Sequence, residues 1–200
     1  MAAAGYPYRI EELSTDELGT MVSGLAELYG GVPLYVRALG GWDTVLSLLF
    51  ASNLIFCRDM RYHGLISEFM RRGGKRFCLQ EILHPGSGAG IMGDGDSVEA
   101  MAAFALTMRN MLFMDFENRL DVLPAPREEW FRPGSEIVVQ DAPSRFGPIS
   151  FKVVSSGSEV QYRFIDLPKF VPPEIMINLP FRAKIRQESD FVIKKDFGNA

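Results

Sequence analysis

The sequence is poor in several residue types, and each shortage excludes something. Two cysteines, Cys57 and Cys78, and two histidines, His63 and His84, stand in 200 residues. Two cysteines are too few for a disulfide framework, so reduced thiols in a cytosolic setting are expected. The four positions lack zinc-finger spacing, so no metal is expected. A large excess of charge of either sign is lacking. The net of −4 argues against a nucleic-acid footprint, which needs a concentrated basic face. No apolar run approaches the roughly 20 residues of a membrane span. The most apolar stretch, residues 45–57, is interrupted by Ser47, Ser52 and Asn53 and reads as a buried helix. The opening Met1-Ala-Ala-Ala-Gly-Tyr-Pro has no basic segment ahead of an apolar core, so no signal peptide is expected and a cytoplasmic location is. There is no Gly-x-Ser-x-Gly elbow, and neither cysteine has an activating neighbourhood.

What is present changes character near the middle of the chain. Up to about residue 115 the apolar period is helical. Leu18, Met21, Val22 and Leu25 make one stripe, with Ser14 and Glu17 at capping-box spacing before it and Gly30-Gly31 after it. Residues 44–57 are apolar on nearly every side, as for a helix packed all round. Tyr62, Leu65, Ile66, Phe69 and Met70 form a third stripe, closed by Gly73-Gly74. Asp96 and Glu99 form a second capping pair, and Met101, Ala105, Met108 and Leu112 line a helix expected to end near Glu117. From about Glu136 the period is two, in about six short runs that predict an antiparallel meander or sandwich. The Pro-rich joint at 123–134 is the best boundary, giving domains 1–123 and 124–200. The class is therefore α+β, helices first. The all-apolar helix requires cover on several sides, which predicts a partner chain or homo-oligomer over an open helical face.

Two loops could carry chemistry. Gln80-Glu81-Ile82-Leu83-His84-Pro85 sets a carboxylate and an imidazole beside a rigid turn, as acid–base work needs. The same pattern fits a surface Glu and a hydrogen-bonded loop His. Gly88, Gly90 and Gly93 match G-x-G-x-x-G, but Asp94 and Asp96 stand where phosphate would meet bare helix amides, and no strand–helix–strand unit surrounds them. No cofactor is expected. The EF-hand register is absent as well. Trp42 and Trp130 could stack on sugar rings or simply pack. Arg58, Arg61, Arg71, Arg72, Lys75 and Arg76 read as a solvated basic face, partly offset by Asp59 and Glu68.

Residues 79–96, Leu-Gln-Glu-Ile-Leu-His-Pro-Gly-Ser-Gly-Ala-Gly-Ile-Met-Gly-Asp-Gly-Asp, resemble the last helical hairpins of six-hairpin (α/α toroid) glycosidase-like proteins. Residues 30–37 and Gly41-Trp-Asp-Thr look like an earlier loop leading into a helix of the same toroid. Residues 127–143 and 146–153 look like the start of the β-sandwich that trails it. The resemblance implies a partial toroid followed by an antiparallel β-sandwich, as the C-terminal portion of a longer protein acting on a carbohydrate substrate. It implies Glu81 as the base of an inverting hydrolysis. His84 would lie beside it or touch the sugar, Asp94 and Asp96 would hold the loop or bind hydroxyls, and Trp42 would stack. The general acid would come from an earlier hairpin, so this chain alone is expected to be inactive.

Overall fold

The computed structural model describes residues 15–29, 32–72, 78–93, 95–116, 118–156, 159–166, 170–179, 184–187 and 193–197. The protein is α+β, with four α-helices and three four-stranded sheets among the described residues. The chain divides into two compact units, 1–110 and 111–200.

The first unit holds α1 (Thr15–Tyr29), α2 (Thr44–Phe56), α3 (Tyr62–Arg72) and most of α4 (Val98–Leu112). It also holds a small sheet, β1 (Tyr35–Val36), β2 (Gly41–Asp43), β3 (Ile82–Leu83) and β4 (Gly90–Met92), paired in that order and antiparallel throughout. The apolar stripes fall where their spacing predicts. Leu18 and Val22 of α1 are buried, as are Tyr62, Leu65, Ile66 and Phe69 of α3. Met70 lies at the edge of its stripe and is exposed. The residues proposed to cap or stop these helices, Ser14, Gly30, Gly31, Gly73 and Gly74, lie outside the described residues.

The helix α2 begins at Asp43, whose carboxylate accepts the Leu46 N–H at 2.8 Å. Nine of its residues are buried, and these include the polar Thr44, Ser47, Ser52 and Asn53. That explains a difference in α4. The stripe Met101, Ala105, Met108, Leu112 is not its buried face. Ala100, Ala103, Thr107 and Asn110 are buried instead. Thr107 Oγ1 lies 3.1 Å from Ser52 Oγ and 3.1 Å from the Leu48 carbonyl, and Asn110 Nδ2 donates to Ser52 Oγ at 3.2 Å. Small and polar residues on both helices satisfy each other, so counting apolar residues selects the wrong side. The cap of α4 is Ser97, one residue beyond Asp96. Its hydroxyl accepts the Ala100 N–H at 3.1 Å.

The second unit is a sandwich. Its strands are β5 (Phe113–Asp115), β6 (Arg119–Val122), β7 (Glu136–Ala142), β8 (Ile149–Ser155), β9 (Glu159–Asp166), β10 (Glu174–Leu179), β11 (Lys184–Gln187) and β12 (Ile193–Phe197). They form two sheets, ordered β12-β10-β6-β5 and β11-β9-β8-β7. One apolar core takes side chains from both sheets, among them Phe113, Val122, Phe151, Val153, Phe164 and Ile177. Neighbours β5–β6, β7–β8 and β8–β9 are antiparallel. From β9 to β12 successive strands alternate between the sheets, so β10 runs parallel to β6 and β12, and β11 parallel to β9. Alternation of period two carries no strand direction, so the sequence pattern could not indicate this. The helix α4 stops at Leu112 rather than near Glu117, because Phe113 and Met114 are buried in the hairpin β5–β6. The run 123–134 lies within this unit. Leu123 is buried in its core, and Trp130 packs against that core.

Tyr162 in β9 faces inward with its hydroxyl buried and without a hydrogen-bond partner among the described residues. Burial pushes the phenol well above its ordinary pKa. An unsatisfied buried hydroxyl costs stability that its ring repays by packing. Tyr162→Phe should therefore leave the urea midpoint unchanged or raise stability by about 1 kcal/mol. A loss of that size in equilibrium unfolding would mean that the hydroxyl has a partner in solution.

Candidate functional site

The small sheet brings together two segments about 40 residues apart in sequence. A tight turn precedes β2, in which the Leu39 and Gly40 N–H groups both donate to the Val36 carbonyl and Gly40 has φ +68°. Gly41 follows, buried where no larger residue fits. A Cβ there would lie 2.6 Å from Ile82 Cγ2 and 2.8 Å from the Leu83 carbonyl oxygen. Trp42 then pairs with Leu83, and Asp43 with Ile82. The Thr44 N–H donates to the Glu81 carbonyl at 3.0 Å. Glu81 and His84 thus flank a two-residue strand that is registered against Trp42.

His84 organises the glycine loop. Its backbone N–H donates to the Ala89 carbonyl and its carbonyl accepts the Gly88 N–H, both at 2.8 Å. Its ring Nδ1 accepts from the backbone N–H groups of Gly86 at 3.2 Å and Ser87 at 3.1 Å. Amide donors make Nδ1 the acceptor, so the neutral ring carries its proton on Nε2. The ring is exposed. Glu81 is half-buried, and its Oε2 lies 3.6 Å from where a Cβ on Gly93 would stand. Gly93 has φ +99°, so only glycine serves there without strain. The Glu81 carboxylate has no ion-pair or hydrogen-bond partner among the described residues. Asp96 is exposed beside the α4 cap, and Asp94 lies outside the described residues.

The residue that ties these parts together is Arg72, at the end of α3. It belongs to the basic cluster, yet its side chain is only 9% exposed. Its guanidinium carbon stands 4.5 Å from the Trp42 ring centroid. Its Nη2 donates to the Pro85 carbonyl at 2.7 Å, and its Nε to Glu68 Oε2 at 3.1 Å. Nη1 lies 3.1 Å from where a Cβ on Gly88 would be. Glu68 also accepts from Arg71 at 2.7 Å. Burial raises the Glu68 carboxyl, but the hydrogen bonds and charges of Arg71 and Arg72 outweigh it and hold it below the ordinary carboxylate range. Arg61 likewise pairs with Asp59. The cluster is therefore not a solvated face throughout. Sequence reasoning missed Arg72 because its partners, Trp42 and Pro85, are distant along the chain. The i, i+4 spacing of Glu68 and Arg72 was the one available signal.

Arg72 occupies one face of the Trp42 ring, so a ligand stacked on Trp42 must use the other. Burial and the nearby Asp59 push the Cys57 thiol up to about 11, which leaves no thiolate nucleophile at neutral pH. Among the described residues no three His, Cys, Asp or Glu side chains converge on a metal position. No helix among them is long and apolar enough to cross a membrane. No family model, curated protein or solved structure matches the chain.

Proposed function

We propose that the chain is the C-terminal part of a glycosidase-like protein. Its helices belong to a partial α/α toroid, and it hydrolyses glycosidic bonds only when further hairpins complete it. One observation supports this reading above the others. Gly41-Trp-Asp-Thr and residues 79–96, which resemble separate toroid loops, pair strand to strand through Trp42–Leu83 and Asp43–Ile82. Glu81 is the base. It takes a proton from water attacking the anomeric carbon, while a second carboxylic acid protonates the leaving oxygen. Inverting hydrolysis sets the two roughly 6.5–9.5 Å apart. The acid comes from a partner chain or from more of the same polypeptide. The exposed Leu28, Met60, Ile91 and Val98 offer apolar surface to such a completing piece.

The test starts from the polypeptide in its own cells. Immunoblot and intact mass should find the 22.4 kDa chain within a heavier species or complex that cleaves glycosides. Glu81→Gln in that species should lower kcat by about 10²–10⁴-fold with unchanged melting. Unchanged turnover would remove Glu81 from the chemistry and the reading with it. A non-catalytic module that binds saccharide or protein is the second reading. It is favoured by the engagement of Asp43 as the α2 cap, which leaves Glu81 without a second free carboxylate on β2 and β3. Saccharide binding that survives Glu81→Gln, in a species with no turnover, would select it.

A further inference from the structure

The outer face of the sandwich carries a feature that the glycosidase reading does not use. Phe151 and Val153 of β8, and Tyr162 and Phe164 of β9, point into the core. Alternation therefore turns Lys152, Val154, Gln161 and Arg163 outward. These four line a depression of about 290 Å³. Within it Lys152 and Arg163 are direct cross-strand partners, as are Val154 and Gln161. Like charges directly opposite one another on a sheet repel. Lys152 is relieved on one side by Glu136 of β7, at 2.7 Å. That contact engages one of the three ammonium donors. Arg163 is exposed and has no carboxylate partner among the described residues. Two adjacent cations over a concave floor, one of them with its planar donor fork unengaged by any carboxylate of the described residues, suit an oxyanion that bridges them. Val154 offers apolar contact to a carbon skeleton.

We propose that this depression binds the oxyanion group of a small organic acid, a carboxylate or a phosphate ester, between Lys152 and Arg163. The site lies wholly in the second unit and does not depend on Glu81.

The full chain, labelled with ¹⁵N, would be titrated with glucuronate, glucose 6-phosphate and glucose as the uncharged control. Saturable shifts are expected at the amides of 152–154 and 161–163 with an acid, at a Kd of about 1 mM, the level of a weak site of few contacts. Glucose should bind at least about tenfold more weakly. Glucuronate preferred over glucose 6-phosphate assigns a carboxylate, and the reverse a phosphate ester. Arg163→Gln should raise the Kd about tenfold, with the melting temperature unchanged or slightly raised, because the side chain is exposed and its loss relieves the cross-strand repulsion. Lys152→Gln should act in the same direction, and raised salt should weaken binding. Equal binding of glucose and the acids, shifts unaffected by Arg163→Gln, or no saturable shift at tens of Kd would each overturn the proposal. None of these results bears on Glu81, so failure here is distinct from failure of the glycosidase reading.

Discussion

Phe151→Ala is expected to cost the second unit about 3–5 kcal/mol, the largest loss of any substitution considered for this protein. Phe151 is 1% exposed and sits where the two sheets of the sandwich meet. Its ring meets Phe113 of β5 edge-on, with centroids 6.4 Å apart and planes at 89°. It meets Phe164 of β9 at 6.2 Å and 60°. The first contact crosses between the sheets and the second lies within one. Truncation removes the transfer free energy of the ring, leaves a cavity that packed strands cannot close, and removes two aromatic contacts of about 0.5–1.5 kcal/mol each. The cavity is lined by apolar groups, so water does not fill it. Single domains are stable by about 5–15 kcal/mol, so this one change should bring the sandwich near its threshold. Urea unfolding followed by Trp130 fluorescence in a Trp42→Phe background would measure it, because Trp130 packs against this core. Phe151→Leu should lose less than half as much, since most of the volume remains. An Ala variant within about 1 kcal/mol of the parent would mean that the two sheets do not share this core.

The substitution also marks what the sequence made legible. Ile149, Phe151 and Val153 alternate with Ser150, Lys152 and Val154, and that period places β8 and its inward face correctly. The same holds for β9 and β10, and for the stripes of α1 and α3. The sequence pattern fails where the physics is not a period. Strands β1–β4 are two or three residues long, too short to show alternation. They exist because Gly41 lets backbones approach and because Asp43 ends β2 and starts α2 at one residue. The buried face of α4 was misplaced because Thr107 and Asn110 are polar and answer Ser52 across the helix pair. At the candidate site, the closeness of Glu81, His84 and Trp42 was expected only through resemblance. No local pattern indicates that 42 pairs with 83. The Arg163–Lys152 opposition was hidden in the same way, since it depends on the register of a hairpin whose turn residues say nothing of ligands.

Arg72 concentrates the remaining energy of the candidate site in one side chain, and Arg72→Ala should destabilise the first unit by about 2–4 kcal/mol. Three contacts are lost together. The stack on Trp42 contributes on the order of 1–2 kcal/mol when largely shielded from water. The charged hydrogen bond to the Pro85 carbonyl contributes about 1.5–3 kcal/mol, and its loss leaves the start of the glycine loop without that anchor. The Glu68 pair is lost as well, although Arg71 retains that carboxylate, so the terms do not simply add. Lysine cannot present a planar fork to Pro85 and Glu68 while lying flat on an indole, so Arg72→Lys should recover less than half of the loss. The pH dependence separates the contributions. The folded Glu68 carboxyl titrates below its unfolded value, so its pairing stabilises the fold above the ordinary carboxylate pKa of about 4.3. That contribution disappears as pH falls through the folded pKa. The difference between parent and Arg72→Ala should therefore be largest at pH 7 and shrink on acidification below about pH 5. It should not vanish, because the indole stack and the Pro85 bond do not titrate. Urea unfolding read by Trp42 fluorescence in a Trp130→Phe background, at a series of pH values, follows both parts. A difference that stays constant with pH would mean that Glu68 gains nothing from Arg72. No difference at pH 7 would mean that the glycine loop is held without it, and Trp42 would then have both faces free for a ligand.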